Sequence, residues 1–120
     1  MELNVANFSK RIPYVPENVG SSTAILFKMN GCHWCDKIMP EFQRLSREIA
    51  FMKLYTFTVD ASNDNINHWH KIQRSMKNSD QLNGFPLVMM FNSKTGKVIV
   101  YPGYMPYDQM KNNMIKFASS

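Results

Sequence analysis

Cys32 and Cys35 are the two cysteines of the chain, three positions apart in Asn30-Gly31-Cys32-His33-Trp34-Cys35-Asp36-Lys37, a spacing at which two thiols can close on each other. Thiolate rather than thiol is both the nucleophile and the metal ligand, so the chemistry of the pair depends on what lowers one of the two pKa values. An extended apolar run ends at Gly31 and helical periodicity begins after Cys32. Cys32 is therefore expected at the positive end of a helix dipole, where a thiolate is stabilised. Beside it, a protonated His33 would favour the thiolate by its charge, near and below the imidazole pKa; the plain alternative is an exposed loop histidine. Trp34 either forms an aromatic rim for a substrate or covers the start of the helix. Lys28 and Lys37 flank the pair, and they either lean toward the sulfurs or stay solvated. Zinc binding is the rival chemistry, with His68 and His70 added to the cysteines. The single residue between these histidines is fewer than the usual three to five, and helix positions two apart point in different directions. Neither a metal nor a dissociable cofactor is expected.

The elements that must position these residues follow from apolar periodicity. Thr23 to Met29 is a near-continuous apolar run, as in a strand buried on both faces of a sheet. From Cys32 to about Ala50, residues Cys35, Met39, Phe42, Leu45 and Ile49 recur at helical intervals. Pro40 falls inside that helix, so a kink is expected there rather than a stop. Lys53 to Val59 alternates apolar and polar residues before the turn-forming Asp60, which reads as a second strand. The polar stretch from Asp60 to Gly84 holds an amphipathic helix through Ile66, Trp69, Ile72 and Met76. Gly84-Phe85-Pro86 then leads into the strand Leu87 to Phe91, and Lys94-Thr95-Gly96 turns into Val98 to Tyr101, an antiparallel hairpin. Pro106 opens a last helix with Met110, Met114 and Phe117 on one face. Residues 1–19 read as an extension, with a short strand at Leu3 and Val5 and a loop through Pro13 and Pro16 ending at Gly20. The order β, α, β, α, β, β, α is α/β in class: one domain over residues 20–118, a central mixed sheet flanked by helices.

Composition narrows the function. The 120 residues suit one domain with a real core, and no apolar stretch has the length of a membrane-spanning helix. The formal charge of +5 comes from scattered lysines and arginines with acidic neighbours, among them Glu41, Arg44, Arg47 and Glu48 on one helix. No nucleic-acid module and no dense basic face accompany it. Most of the ten methionines read as core filler. The amino terminus lacks an apolar signal region, so a cytoplasmic location is expected, where a lone cysteine pair is more often catalytic, redox-sensing or metal-binding than structural. The frequent asparagine, lysine and methionine fit an AT-rich genome, a viral one among the candidates.

Taken together, these residues resemble the thioredoxin superfamily, specifically thioredoxins and the catalytic domains of protein disulfide isomerases, over residues 20–118. The strand leading into Cys32-x-x-Cys35, Pro40 five positions on, Val59-Asp60, Gly84-Phe85-Pro86 before a strand and Gly103 after the hairpin carry the likeness. It implies a thioredoxin-like fold and thiol-disulfide exchange, with Cys32 as nucleophile and Cys35 as resolving thiol. It further implies a cis Phe85-Pro86 bond and substrate contacts at Trp34, Gly84, Phe85, Pro86 and Gly103. Protein thiols or disulfides would be the substrates, a reductase or oxidase the redox partner, and the molecule a monomer. Four features depart from the family. Leu26 stands where a buried acid usually helps deprotonate the resolving thiol, and Gly31 replaces the tryptophan before the first cysteine. His33-Trp34 is the dipeptide of neither relative, so the redox poise is not inherited. The segment between Asp60 and Pro86, with Asn63 to Asn83 inside it, is longer than in thioredoxins. A domain that kept the fold and lost redox activity is the alternative raised by Leu26.

Overall fold

From Ser22 onward, each apolar segment within the described residues becomes one element. The computed structural model describes residues 2–3, 22–60, 64–75 and 84–119, which form β1 (Ser22–Lys28), α1 (His33–Glu48), β2 (Lys53–Thr58), α2 (Asp64–Ser75), β3 (Leu87–Asn92), β4 (Val98–Pro102) and α3 (Tyr107–Ser119). The sheet order is β2-β1-β3-β4. β1 runs parallel to β2, with Leu26 opposite Thr56, and antiparallel to β3, with Leu26 opposite Val88. β3 and β4 form the antiparallel hairpin, turned by Asn92, whose side chain accepts from the N–H groups of Lys94 and Thr95. The α/β class, the mixed sheet and the single domain are as the sequence implies.

The central position of β1 explains its unbroken apolar run, since both of its faces are covered and Ser22 to Phe27 are all buried. Successive side chains point to opposite faces. Ala24 and Leu26, with Val88 and Met90 of β3, meet Ile38, Phe42 and Leu45 of α1 and Met110, Met114 and Phe117 of α3. Ile25 and Phe27, with Leu87, Met89 and Phe91, meet Trp69 and Ile72 of α2. The buried stripe of α1 runs through Cys35, Ile38, Phe42 and Leu45. Ile38 rather than Met39 occupies its centre: at about 100° per residue Ile38 falls between Phe42 and Leu45 around the helix axis, whereas Met39 falls outside that arc and is only partly buried. The helix continues through Pro40. Met52, Met89, Met90, Met105, Met110 and Met114 are core residues.

Glu2 bridges to Thr56 at the β2 edge, its carboxylate accepting from the Thr56 hydroxyl and the Thr58 N–H. Leu3 is buried beside Phe57 and Val59. The rest of the expected extension, with Val5, Pro13, Pro16 and Gly20, lies outside the described residues, as do Asn63, Met76 and Asn83. Among the described residues, no helix is long and apolar enough to cross a membrane.

Candidate active site

The site begins where β1 hands the chain to α1. Gly31 turns the backbone with φ 79°, a left-handed conformation that glycine adopts without steric cost. Cys32 follows in extended conformation as the N-cap of α1, and its Sγ accepts from the Cys35 N–H at 3.2 Å. Its sulfur thereby sits where free amides and the helix dipole favour negative charge. Cys32 and Cys35 form a disulfide, with Cα atoms 5.2 Å apart. The two sulfurs differ in access, because Cys32 is half-buried while Cys35 is 1% exposed.

Across from the pair, the Phe85-Pro86 peptide bond is cis. The Phe85 carbonyl oxygen lies 3.8 Å from Cys32 Sγ, close enough to accept from a Cys32 thiol once the disulfide is reduced. Pro86 is buried, and its carbonyl accepts from the Gly103 N–H at 2.9 Å, tying the end of β4 to this loop. Gly84 is exposed just ahead of Phe85. Trp34, Phe85, Pro86, Gly103 and Tyr104 line a shallow groove of about 330 Å³. Trp34, 48% exposed, is one of its lining residues. Tyr104 also lines the groove, a role that nothing in the sequence signals beyond its position directly after Gly103.

The comparisons with known proteins bear on this arrangement. The sequence profile of a thioredoxin-like domain matches residues 14–118. The chain belongs to the thioredoxin-like family. Its fold is similar to that of thioredoxin f2 from Chlamydomonas reinhardtii, with a TM-score of 0.68 at 20% identity, covering 98% of this chain and 94% of that one. Chloroplastic thioredoxin z gives 0.64 at 15% identity, covering 83% and 80%, and a mutant thioredoxin from Halobacterium salinarum gives 0.60 at 15%, covering 82% and 76%. No match is found among curated protein sequences.

Other residues singled out from the sequence of this thioredoxin-like domain have defined surroundings. Leu26 is fully buried in hydrocarbon with Ile38, Phe42 and Val88. His33 is exposed, its ring edge-on to Trp34 with centroids 5.4 Å apart. Lys37 lies over the rings of Trp34 and Tyr104. His68 is buried against Phe57, and burial, with Lys71 adding to it, pushes its pKa down. His70 is exposed and meets Gln73 at 3.1 Å. The two histidines thus occupy different sides of α2. Among the described residues, no three His, Cys, Asp or Glu side chains gather where they could hold a metal ion.

Proposed function

We propose that this thioredoxin-like domain is a thiol-disulfide oxidoreductase acting on protein disulfides or thiols through Cys32 and Cys35. One observation carries the reading: the accessible sulfur of the pair caps a helix N-terminus and faces the Phe85 carbonyl, while its partner is buried. In the reducing direction, the Cys32 thiolate attacks one sulfur of a substrate disulfide, a mixed disulfide forms, and the other substrate sulfur leaves as a thiolate that takes a proton. Cys35 then gives up its proton and attacks Cys32 Sγ, releasing the second substrate thiol and closing the Cys32–Cys35 disulfide. Two electrons pass from the dithiol to the substrate, and the reverse sequence oxidises a substrate dithiol. Leu26 offers no acceptor for the Cys35 proton, which leaves water or the exposed His33 to take it.

Trp34, Gly84, Phe85, Pro86 and Gly103 serve as the substrate-contacting residues in this reading, with an extended peptide running along the groove. The domain acts as a monomer in the cytoplasm, draws electrons from or passes them to a separate reductase or oxidase, and needs no dissociable cofactor. In an insulin-reduction assay with dithiothreitol as electron source, the protein should accelerate turbidity and Cys32→Ser should abolish the acceleration. Equal curves for the two proteins would overturn the reading in favour of a domain that kept the fold without the exchange.

A further inference from the structure

Trp34, Lys37 and Glu41 are spaced by three and four residues along α1, so they share one face of the helix. Tyr104, arriving from the end of β4, packs against that face with its ring centroid 5.4 Å from that of Trp34. The Lys37 ammonium lies 4.8 Å from the Trp34 centroid and 5.5 Å from the Tyr104 centroid, both within the range of cation-π attraction. Glu41, the carboxylate best placed to neutralise Lys37 on a helix, accepts instead from the Tyr104 hydroxyl at 3.0 Å. Partial burial and this hydrogen bond push the Tyr104 pKa above its ordinary value. Among the described residues, no carboxylate comes within ion-pair distance of Lys37. The neighbouring Asp36 is exposed one position earlier on the helix, about 100° away around its axis.

The result is a cation held on two aromatic rings that also line the groove beside Cys32. Each such contact is worth about 0.5–1 kcal/mol at an exposed site, which biases the ammonium toward the edge of the groove. The groove offers mainly hydrocarbon, from Trp34, Phe85 and Pro86, and the ammonium at its edge adds one site for an anion.

We infer that Lys37, seated on Trp34 and Tyr104, selects disulfide substrates carrying an acidic side chain next to the reacting cysteine. The inference rests on the oxidoreductase reading above and names the substrate class of that same groove. The occupant is an extended acidic peptide segment: an apolar residue fills the groove and a Glu or Asp carboxylate reaches Lys37.

The test uses short peptides that differ only in a Glu, Gln or Lys beside a cysteine activated as its 2-pyridyl disulfide. The reduced protein attacks the peptide sulfur and releases pyridine-2-thione, whose absorbance gives the rate. Attraction and repulsion both enter the Glu-to-Lys comparison, so the wild type should prefer the Glu peptide about fivefold at low salt and lose the preference as salt rises. The ratio should fall to about one in Lys37→Gln and invert in Lys37→Glu; because each ratio is taken within one protein, a general change in activity cancels. Equal wild-type rates for the three peptides, or a preference that survives Lys37→Gln, would overturn the inference while leaving the oxidoreductase reading intact. The neutral 2-hydroxyethyl disulfide separates the two. If the wild type reduces neither it nor any peptide, the oxidoreductase reading falls, and the inference falls with it.

Discussion

Two sulfurs in one disulfide are given unlike chemistry by one turn of helix. Cys32 is reachable and caps α1, whereas Cys35 is enclosed under the helix. In the reduced protein, iodoacetamide should therefore modify Cys32 at least about tenfold faster than Cys35, with a pH midpoint below the ordinary thiol value of about 8.5. Peptide mapping of the alkylated protein reads the ratio, and faster labelling of Cys35 would reverse the two roles. Leu26 sets the other constraint at this scale. It packs among Ile38, Phe42 and Val88, a site built for hydrocarbon, so Leu26→Asp buries a carboxylate where none was solvated. Urea unfolding should show a loss of about 3 kcal/mol or more, since even Leu→Ala at such a site costs that much. A midpoint shift well short of this would mean that the carboxylate finds a polar partner. The cysteines were legible in the sequence by their spacing at one strand-to-helix junction, and Leu26 through the resemblance to thioredoxins, which usually carry an acid at that position. Tyr104 and the seat of Lys37 were not, because Tyr104 meets α1 only after the chain has formed the whole sheet.

At the scale of elements, the substrate loop is only as firm as the helix behind it. Trp69 of α2 lies between Phe27 and Phe85, with ring centroids 4.8 Å and 5.2 Å away, so α2 backs the residue whose carbonyl faces Cys32 Sγ. Trp69→Ala should cost about 3–5 kcal/mol through the cavity it leaves, measured by denaturant unfolding. A loss under 1 kcal/mol would show that α2 is not fixed on the sheet in solution. The periodicity of α2 marked Ile66, Trp69 and Ile72 as its apolar face, but no local pattern could place that face against Phe85. Strand order has the same character. The run from Thr23 to Met29 identifies a central strand by its composition, while the order β2-β1-β3-β4 is a property of pairing between distant segments that propensity does not encode.

For the whole molecule, the strongest pH dependence expected near neutrality comes from a buried imidazole on the face of the sheet away from α1. Burial of His68 against Phe57, with Lys71 nearby, pushes its folded pKa below the ordinary value of 6.5. The folded protein thus holds His68 neutral at pH values where the unfolded chain already binds a proton. By linkage, stability rises with pH wherever the unfolded state binds more protons. The contribution of His68 is therefore fully present above pH 6.5 and is lost as pH falls through that value toward the depressed folded pKa. Chemical unfolding followed from pH 8 to pH 5 should show the midpoint falling below pH 6.5. His68→Gln, which cannot titrate, should flatten that fall while starting from a lower midpoint at pH 8, since it disturbs the packing on Phe57. Because His68 shares its apolar layer with Trp69 and through it with Phe85, the fall is a property of the fold and not of the cysteines. It should be the same in Cys32→Ser as in the wild type when both are measured in the reduced form, and a pH profile that changes with Cys32→Ser would place its origin at the active site instead.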